Sequence, residues 1–499
     1  LIVAIAPLLL QKGDRIDRED ADETLIIMTA HNETIRSEFG AAFADYYENK
    51  TGKTVFIDWR NPGGSSQIRY IIDGAYKRAK DRGDNGIGAD ILFGGGDYMH
   101  KKLGEQGLTV ELNVFKDHPE WFKGKDGIRK SFTGEDCYDA EHKRWVGVCL
   151  SQFGICYNVD GIRRIGGDVP TKWDDLGEPR FFGKIALADP TKSGSVARAF
   201  ELMIQEKIHI ELENIIRRAG ETRQQMRQRA IRVGWEKGLQ LIQRIAANAR
   251  YFTDSASKIP HDVAQGDAVA GLCVDFYGRA YNERFKKEDG TSRLVWVAPK
   301  GGTSVSVDPV SILRGAPNEK LAQMFVEFLL TEKGQLLWNN KVGTKHGPEN
   351  RAIRRLPIRP DMYSEDRLSD FSDPDAQPYK NKDHLVYDAS LTGKLFEPLR
   401  AILQVMCIDV HDEMKDSWGT LIENSVDGKM SPDARKKFND VAFFSYQRTM
   451  ELKDALSLTG LDDAKRKQKH LRTQKLLNRR ADYFRRSYKD AMKLSEQAN

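Results

Sequence analysis

Apolar positions along this chain follow two alternating rhythms. Short unbroken apolar runs of strand length give way to longer stretches in which apolar residues recur every three or four positions, the helical period. Leu25, Ile26, Ile27 and Met28 read as a buried strand, followed by a helical pattern over about 33–50. The runs 54–57 and 89–93 repeat the strand pattern, with helical patterns over 66–82 and from 98 to 104 after them. Strands alternating with helices of this length predict an α/β sheet.

A second region of the same kind begins near Val146. Residues 147–158 (GVCLSQFGICYN) form a long β-type run, 173–176 start a helix, 184–188 are a strand, and a helix follows from Ser193. The charged stretch 206–234 reads as an exposed helical insertion. Strands are expected at 268–275, 294–299 and 307–313, and 318–337 is a strongly amphipathic helix. The stretch 365–388, rich in Asp, Pro, Ser and Lys, ends the alternation. From Leu391 the apolar spacing is helical to the end, with Leu395, Leu399, Leu403 and Met406 on one face.

A chain of 499 residues exceeds one compact core, so two or three domains are expected. The formal net charge of +5 is too small to point to nucleic acid, and the basic residues gather in a helical tail over 465–493. Charge runs on helices are usually solvated faces; the alternative is an acidic membrane surface or a partner. The five cysteines, Cys137, Cys149, Cys156, Cys273 and Cys407, show no metal-binding spacing. They read as buried thiols, with one disulfide among the first three as the alternative. The apolar opening LIVAIAPLLL is too short to span a bilayer; before the acidic tether 11–23 it reads as the remnant of an export signal or anchor. Export thus becomes the expected fate of the chain.

Signatures of catalysis are missing: no GxSxG, HExxH, Walker A loop or GxGxxG occurs. What recurs is a Gly/Ser-rich turn between a strand and a helix. The turns are Thr29-Ala30-His31-Asn32, Pro62-Gly63-Gly64-Ser65-Ser66, Gly94-Gly95-Gly96-Asp97, Thr191-Lys192-Ser193-Gly194-Ser195 and Thr253-Asp254-Ser255-Ala256-Ser257. A helix N-terminus carries unpaired N–H groups and partial positive charge, so each turn suits an anion or an oxygen-rich ligand. Glycine admits a ligand close to the backbone, and serine adds a hydroxyl. Each alone is also an ordinary helix cap. Five in two α/β regions point to a shared crevice at strand C-terminal ends.

The stretches 184–200 (KIALADPTKSGSVARAF), 262–267 (DVAQGD) and 308–337 resemble the periplasmic ferric-ion and phosphate-ester binding proteins of ABC importers. Residues 59–64, 90–96 and 151–158 extend the likeness, which covers about 24–363. It implies a two-lobed type II periplasmic binding fold with an added helical C-terminal segment, the ligand held between lobes joined near 151–157 and 271–277. The implied organisation is 1–23 remnant and linker, 24–147 and 277–363 lobe one, 148–276 lobe two with the insertion 206–234, 364–390 linker, and 391–499 the basic helical segment. It implies no enzyme activity and no cofactor. The expected partners are a small anionic solute and a membrane permease, with N-terminal anchoring possible, no nucleic acid, and a place in the periplasm or cell envelope.

Carried over residue by residue, the anion half of the family's site falls on Ser193, Gly194 and Ser195, with Ser255 beside them. The metal half, if iron is the cargo, falls on His31, Asp97 and Tyr277. The carboxylate position falls in the triple glycine, and one of the paired tyrosines is Phe276. Ferric iron needs several anionic oxygens, so the likeness favours an organic anion such as a phosphate ester, with His31 donating to it. The full set of implied ligand contacts is His31, Asn32, Gly64, Ser65, Ser66, Gly96, Asp97, Ser151, Ser193, Gly194, Ser195, Ser255, Asp275 and Tyr277. The alternatives are a ferric-ion carrier, a ligand-sensing receptor, or an enzyme that reuses the fold.

Overall fold

A computed structural model describes residues 16–456 and 463–498; the apolar opening read as a signal or anchor remnant lies outside the described residues. In chain order the principal elements begin with β1 (Glu23–Thr29), α1 (Glu33–Thr51), β2 (Val55–Arg60), α2 (Ser65–Arg82), β3 (Ile91–Phe93), α3 (Asp97–Glu105) and the long β4 (Val146–Asn158). Next come β5 (Ile185–Ala188), α4 (Gly194–Glu213), α5 (Arg223–Ala247), β6 (Ala249–Thr253), α6 (Ile259–Gln265), β7 (Ala270–Val274) and α7 (Asp275–Arg284). Then follow β8 (Leu294–Val297), β9 (Val305–Ile312), α8 (Glu319–Leu330), α9 (Glu332–Leu337) and β10 (Leu356–Pro357). The rest is helical: α10 (Phe396–Leu403), α11 (His411–Glu423), α12 (Pro432–Phe438), α13 (Tyr446–Leu456) and α14 (Asp463–Gln497).

The chain divides into two compact units. Of the described residues, the first holds those through Ser131, then Asp136–Leu150 and Val307–Gln377; the second holds Phe132–Glu135, Ser151–Ser306 and those from Pro378 on. The second unit therefore runs past the Phe276 boundary expected from the sequence. It keeps α7, and it keeps β8, which pairs with the second half of β4 from Leu294↔Asn158 to Val297↔Ile155. The stretch 271–277, expected to join the lobes, lies inside this unit, and the chain returns to the first unit within β9.

In the first unit β2, β1 and β3 lie parallel in that order, and β9 runs antiparallel beside β3. Their core is aromatic: Phe39 and Phe43 of α1 meet Trp338 and Phe325, with ring centroids 4.2 and 4.9 Å apart. The single helix expected over 318–337 is two. Thr331 ends α8 and caps α9, its side chain accepting from the Gly334 N–H. A Cβ on Gly334 would lie 2.1 Å from the Phe328 carbonyl oxygen, so the chain turns there only because that position is glycine.

The second unit's sheet is ordered β8, β4, β7, β5, β6. Antiparallel pairs are on the β4 side, and parallel pairs join β7, β5 and β6. The residues 173–176, expected to start a helix, lie in one 3₁₀ turn (Trp173–Gly177) pinned by the buried Trp173, whose Nε1–H donates to the Gly302 carbonyl. Helices α4 and α5 cross closely, because Gly234 and Gly238 of α5 sit against Ile208 and Ile204 of α4. The charged run 206–234 is the far end of this pair. Glu206, Lys207, Ala230 and Gly234 within it are buried, so it prolongs two core helices and is exposed mainly around their connecting turn. Its charges compensate locally, Lys207 with Glu206 at 2.9 Å and Arg229 with Glu221 at 2.9 Å.

The helical segment after Leu391 completes the same core. The Trp235 indole N–H donates to the Phe444 carbonyl, Trp418 donates to Asn248 Oδ1, and Gln243 Nε2 donates to the buried Tyr488 hydroxyl. All five cysteines are buried thiols, none of them in a disulfide.

The α4–α5 contact generates a stability prediction. A Cβ on Gly234 would lie 2.4 Å from Ile208 Cα and 2.6 Å from Ile208 N, both main chain. Alanine is favoured over glycine in a helix interior by about 1 kcal/mol, but overpacking against backbone costs roughly 1–3 kcal/mol or more. Gly234→Ala is expected to lower the unfolding free energy of the second unit in urea titration. A stabilised variant would show that the helices do not pack at this distance.

Candidate functional site

Parallel strands send every following turn to the same edge of a sheet. In the first unit β1, β2 and β3 end together, with Met28 opposite Arg60 and Thr29 opposite Phe93. The turns His31-Asn32, Gly64-Ser65-Ser66 and Gly94-Gly95-Gly96-Asp97 therefore gather at one edge and start α1, α2 and α3. Asn32 caps α1, its Oδ1 accepting from the Ile35 N–H at 3.1 Å. The N-caps of α2 and α3 are Gly64 and Gly96, which supply no side-chain cap. The first-turn N–H groups of both helices thus have no side-chain cap, and Ser65 and Ser66 open α2 beside them.

Behind that edge lies a buried charge group. Asp308, on β9, accepts from His31 Nε2 at 2.9 Å, from the guanidinium of Arg355, and through Oδ1 from the Gly96 N–H at 3.1 Å. His31 is 5% exposed and Arg355 2%. Burial works to raise the Asp308 carboxyl, but Arg355, His31 and the Gly96 amide together outweigh it and hold it below the usual carboxylate range. Burial holds the His31 imidazole below its ordinary value, against the pull of Asp308. His31 is thus neutral with its N–H donated to Asp308, and what it has left is Nδ1, a bare acceptor that is buried and without a partner among the described residues. The sequence expectation of His31 as donor to the solute meets this geometry directly: the donor already has a recipient.

Gly94, Gly95 and Gly96 all have φ near +80 to +95°, and a Cβ on Gly94 would lie 2.5 Å from His31 Nε2. Three left-handed residues in a row, the first against an imidazole, exclude side chains and explain why no carboxylate stands in this turn. The neighbouring Asp97 is ion-paired to Lys101 at 2.7 Å, and Lys101 also reaches Asp136 at 3.0 Å. Among the described residues no group of three or more His, Cys, Asp or Glu side chains stands where it could hold a metal ion.

In the second unit the parallel strands β5, β6 and β7 end together, with Ala188 opposite Thr253 and Ala186 opposite Gly271. The turns leading to α4, α6 and α7 share one edge. Ser193 caps α4, its Oγ accepting from the Val196 N–H, and the first main-chain helix bond runs from Ala197 N–H to the Ser193 carbonyl. Gly194 and Ser195 thus carry the leading N–H groups of a 20-residue helix. Ser255 stands in the adjacent turn with its hydroxyl 2.8 Å from that of Ser257. Ser151 comes two residues before Phe153, which pairs with Val274, so it reaches this edge too, where it is buried. Asp275 opens α7; one oxygen accepts from Arg279 at 2.7 Å, and the buried Oδ1 has no partner among the described residues. Tyr277 lies in the same first turn, half-buried, its ring 4.0 Å from that of Phe276.

The structure brings His31, Asn32, Gly64, Ser65, Ser66, Gly96 and Asp97 to one edge of the first unit. It brings Ser151, Ser193, Gly194, Ser195, Ser255, Asp275 and Tyr277 to one edge of the second. Sequence reasoning missed the side chains that hold these turns. Asp308 sits in a segment quoted for its likeness, but nothing marked it as the anchor of His31 and Gly96. Arg355 is one arginine among several in 351–359. Asp189 binds the Thr191 N–H and hydroxyl at 2.8 and 2.6 Å and shapes the α4 turn from within.

Residues 89–352, just over half of the chain, match the family model described as bacterial extracellular solute-binding protein, and the chain belongs to that family. As a member it is an extracellular solute-binding protein, the component of an ABC importer that captures a small solute for the membrane permease. Relatives agree. An uncharacterised protein of Haemophilus influenzae is 25% identical over 299 residues, 60% of this chain and 70% of that one. The phosphoglycerate transport regulatory protein PgtC of Salmonella typhimurium is 21% identical over 190 residues, 38% of this chain and 39% of that one. The solved periplasmic binding protein P5PA shares the fold with a TM-score of 0.50 at 19% identity, over 80% of this chain and 99% of that one.

The buried charge group yields two predictions. Asp308→Asn leaves Arg355 buried without its counter-charge, a change that costs about 3–5 kcal/mol; amide protection of strand 25–29 by hydrogen exchange should fall accordingly, and unchanged protection would remove Asp308 from its anchoring role. The second concerns pH. Burial pushes His100 down from 6.5 to about 4; its imidazole faces the Ser311 hydroxyl at 2.6 Å and the Gly94 carbonyl at 3.1 Å. The unfolded chain binds that proton more readily than the fold does, so stability is present above pH 6.5 and is lost as pH falls towards 4. The loss from this group is about 3 kcal/mol. His100→Gln should flatten that part of the profile, and an unaltered slope would assign the titration elsewhere.

Proposed function

We propose that the solute is a small organic anion, a phosphate ester or its close chemical equivalent, whose negative oxygens are taken at the N-terminus of α4 by Ser193, Gly194 and Ser195 with Ser255. The observation that carries this reading is the shared edge of the second unit. There the leading N–H groups of Gly194 and Ser195, the positive end of a long helix and the hydroxyls of two adjacent turns come together. All of these favour the same negative oxygen, and they act additively.

Asp275 Oδ1, buried and lacking a donor, and the Tyr277 hydroxyl suit hydroxyls on the organic part of such a solute. At the first unit's edge the uncapped N–H groups behind Gly64 and Gly96 obey the same physics, and we assign them with Ser65 and Ser66 as further solute contacts. Phosphoglycerate transport in the name of the Salmonella relative agrees with a phosphorylated acid as cargo. Iron is disfavoured as cargo because the residues it would need are engaged: His31 donates to Asp308, Asp97 pairs with Lys101, and Phe276 offers no oxygen.

The test is a thermal-shift screen of phosphate esters, carboxylates, neutral sugars and ferric citrate, followed by calorimetry. A cognate solute at a hundred times its dissociation constant should stabilise the protein by roughly 2.7 kcal/mol. The pair Gly194→Val and Ser195→Val blocks the helix N-terminus while Ser193 keeps its cap. It should weaken binding of the phosphate ester about a hundredfold at unchanged folding. Stabilisation by a neutral sugar or ferric citrate alone, or full binding by the double variant, would sink the anion reading.

A further inference from the structure

The turn that carries Ser193, Gly194 and Ser195 is held from behind by a residue outside the family match. Arg400, on α10, donates through Nε to the Pro190 carbonyl at 2.9 Å and through Nη2 to the Thr191 carbonyl at 2.5 Å. Its remaining nitrogen faces Glu397 at 3.2 Å, and the side chain is 13% exposed. The helix that presents it is anchored by buried Phe396, Leu399, Ile402 and Leu403. We propose that Arg400 is a positioning residue for solute binding, fixing the β5–α4 turn so that the Gly194 and Ser195 N–H groups keep one orientation.

The physical case rests on how the turn would otherwise be held. Inside the turn, Asp189 takes the Thr191 N–H and hydroxyl through its side chain and the Ser193 N–H through its carbonyl, so the N–H side is determined locally. The carbonyls of Pro190 and Thr191 point the other way. Without a donor each of these two peptide planes is held through its N–H alone, Thr191 to Asp189 Oδ1 and Lys192 to the Asp189 carbonyl, and any rocking about those bonds swings the α4 N-terminus with it. A guanidinium serves two adjacent carbonyls at once because its N–H groups form a rigid planar fork, which an ammonium cannot reproduce. Arg400 has its charge paired with Glu397 on the same helix, so its part is to hold the two carbonyls. By this contact the helical segment after Leu391 becomes part of the binding unit.

This inference deepens the anion reading above and is tested separately from it. Amide exchange over 191–196 is compared, in the absence of any solute, for the wild type, Arg400→Met, Arg400→Lys and the packing control Leu421→Ala. Binding of 3-phosphoglycerate and of inorganic phosphate is then measured on each by calorimetry. Arg400→Met should speed exchange in this turn and weaken the bound probe about tenfold, with Arg400→Lys intermediate, since it serves one carbonyl only. Leu421→Ala, on α11, should lower the melting temperature yet leave both turn exchange and probe affinity unchanged, which separates a general loss of stability from the local effect of Arg400→Met. Exchange in Arg400→Met that matches the wild type overturns the proposal whether or not either probe binds. A wild type that binds neither probe overturns the anion reading instead and leaves the exchange result to decide the role of Arg400.

Discussion

A parallel β-strand imposes a direction on whatever follows it. The chain must leave at the strand's C-terminal end and return through a helix, so the N-termini of successive helices collect on one side of the sheet. Both units of this protein are built on that constraint, with β1, β2 and β3 in the first and β5, β6 and β7 in the second. Main-chain N–H groups from turns far apart in sequence therefore stand side by side. Within such an arrangement the side chains have little left to invent. Serine and glycine suffice, because the backbone already supplies the donors.

Gathering donors and turns at one edge demands that the turns be stiff, and buried charge provides the stiffness. In the first unit Asp308 links the turn after β1, through His31, to the turn after β3, through the Gly96 amide, while Arg355 balances its charge. In the second unit Arg198 stands between the buried Glu135 and Glu201, with its guanidinium 3.9 Å from the Tyr387 ring centre, and Tyr387 and Thr392 donate to Glu201. Groups of this kind add little net stability over an apolar equivalent. They penalise strongly any arrangement that separates the partners, which is how they hold a turn in one geometry.

The helical C-terminal segment lies beyond the family match, which ends at residue 352. In the structure it satisfies polar groups that the α/β part of the second unit leaves buried: the indole N–H of Trp235, the Asn248 side chain and the Gln243 amide each find a partner there. A buried donor left without a partner costs on the order of 1–3 kcal/mol. The segment is consequently tied to the core at each of these points, and loss of the element that carries a partner would leave that group unpaired. Its basic stripe on α14 keeps to the solvent side, with Arg479, Arg486, Lys489 and Lys493 exposed.

Periodicity alone located most of the strands and helices, because burial of an apolar face leaves its period in the sequence whatever the fold around it. The Gly/Ser turns were legible for the same reason: left-handed backbone and helix caps select residue types locally. Where the sequence misread an element, a single contact decided the matter, as with Thr331 and Gly334 breaking the helix over 318–337, or Trp173 closing a 3₁₀ turn on Gly302. The exposure expected for 206–234 holds around the connecting turn and gives way at its two ends, because charge content says nothing about which face meets a partner, and glycines at 234 and 238 let α4 pack directly on α5. The partners of the candidate site were not legible at all. His31 and Asp308 are 277 positions apart, and Arg400 reaches the Thr191 carbonyl across 209. Local pattern determines what a segment can become; which arginine meets which carbonyl is settled only when sheet order and helix packing bring distant segments together, and that information exists in the tertiary structure alone.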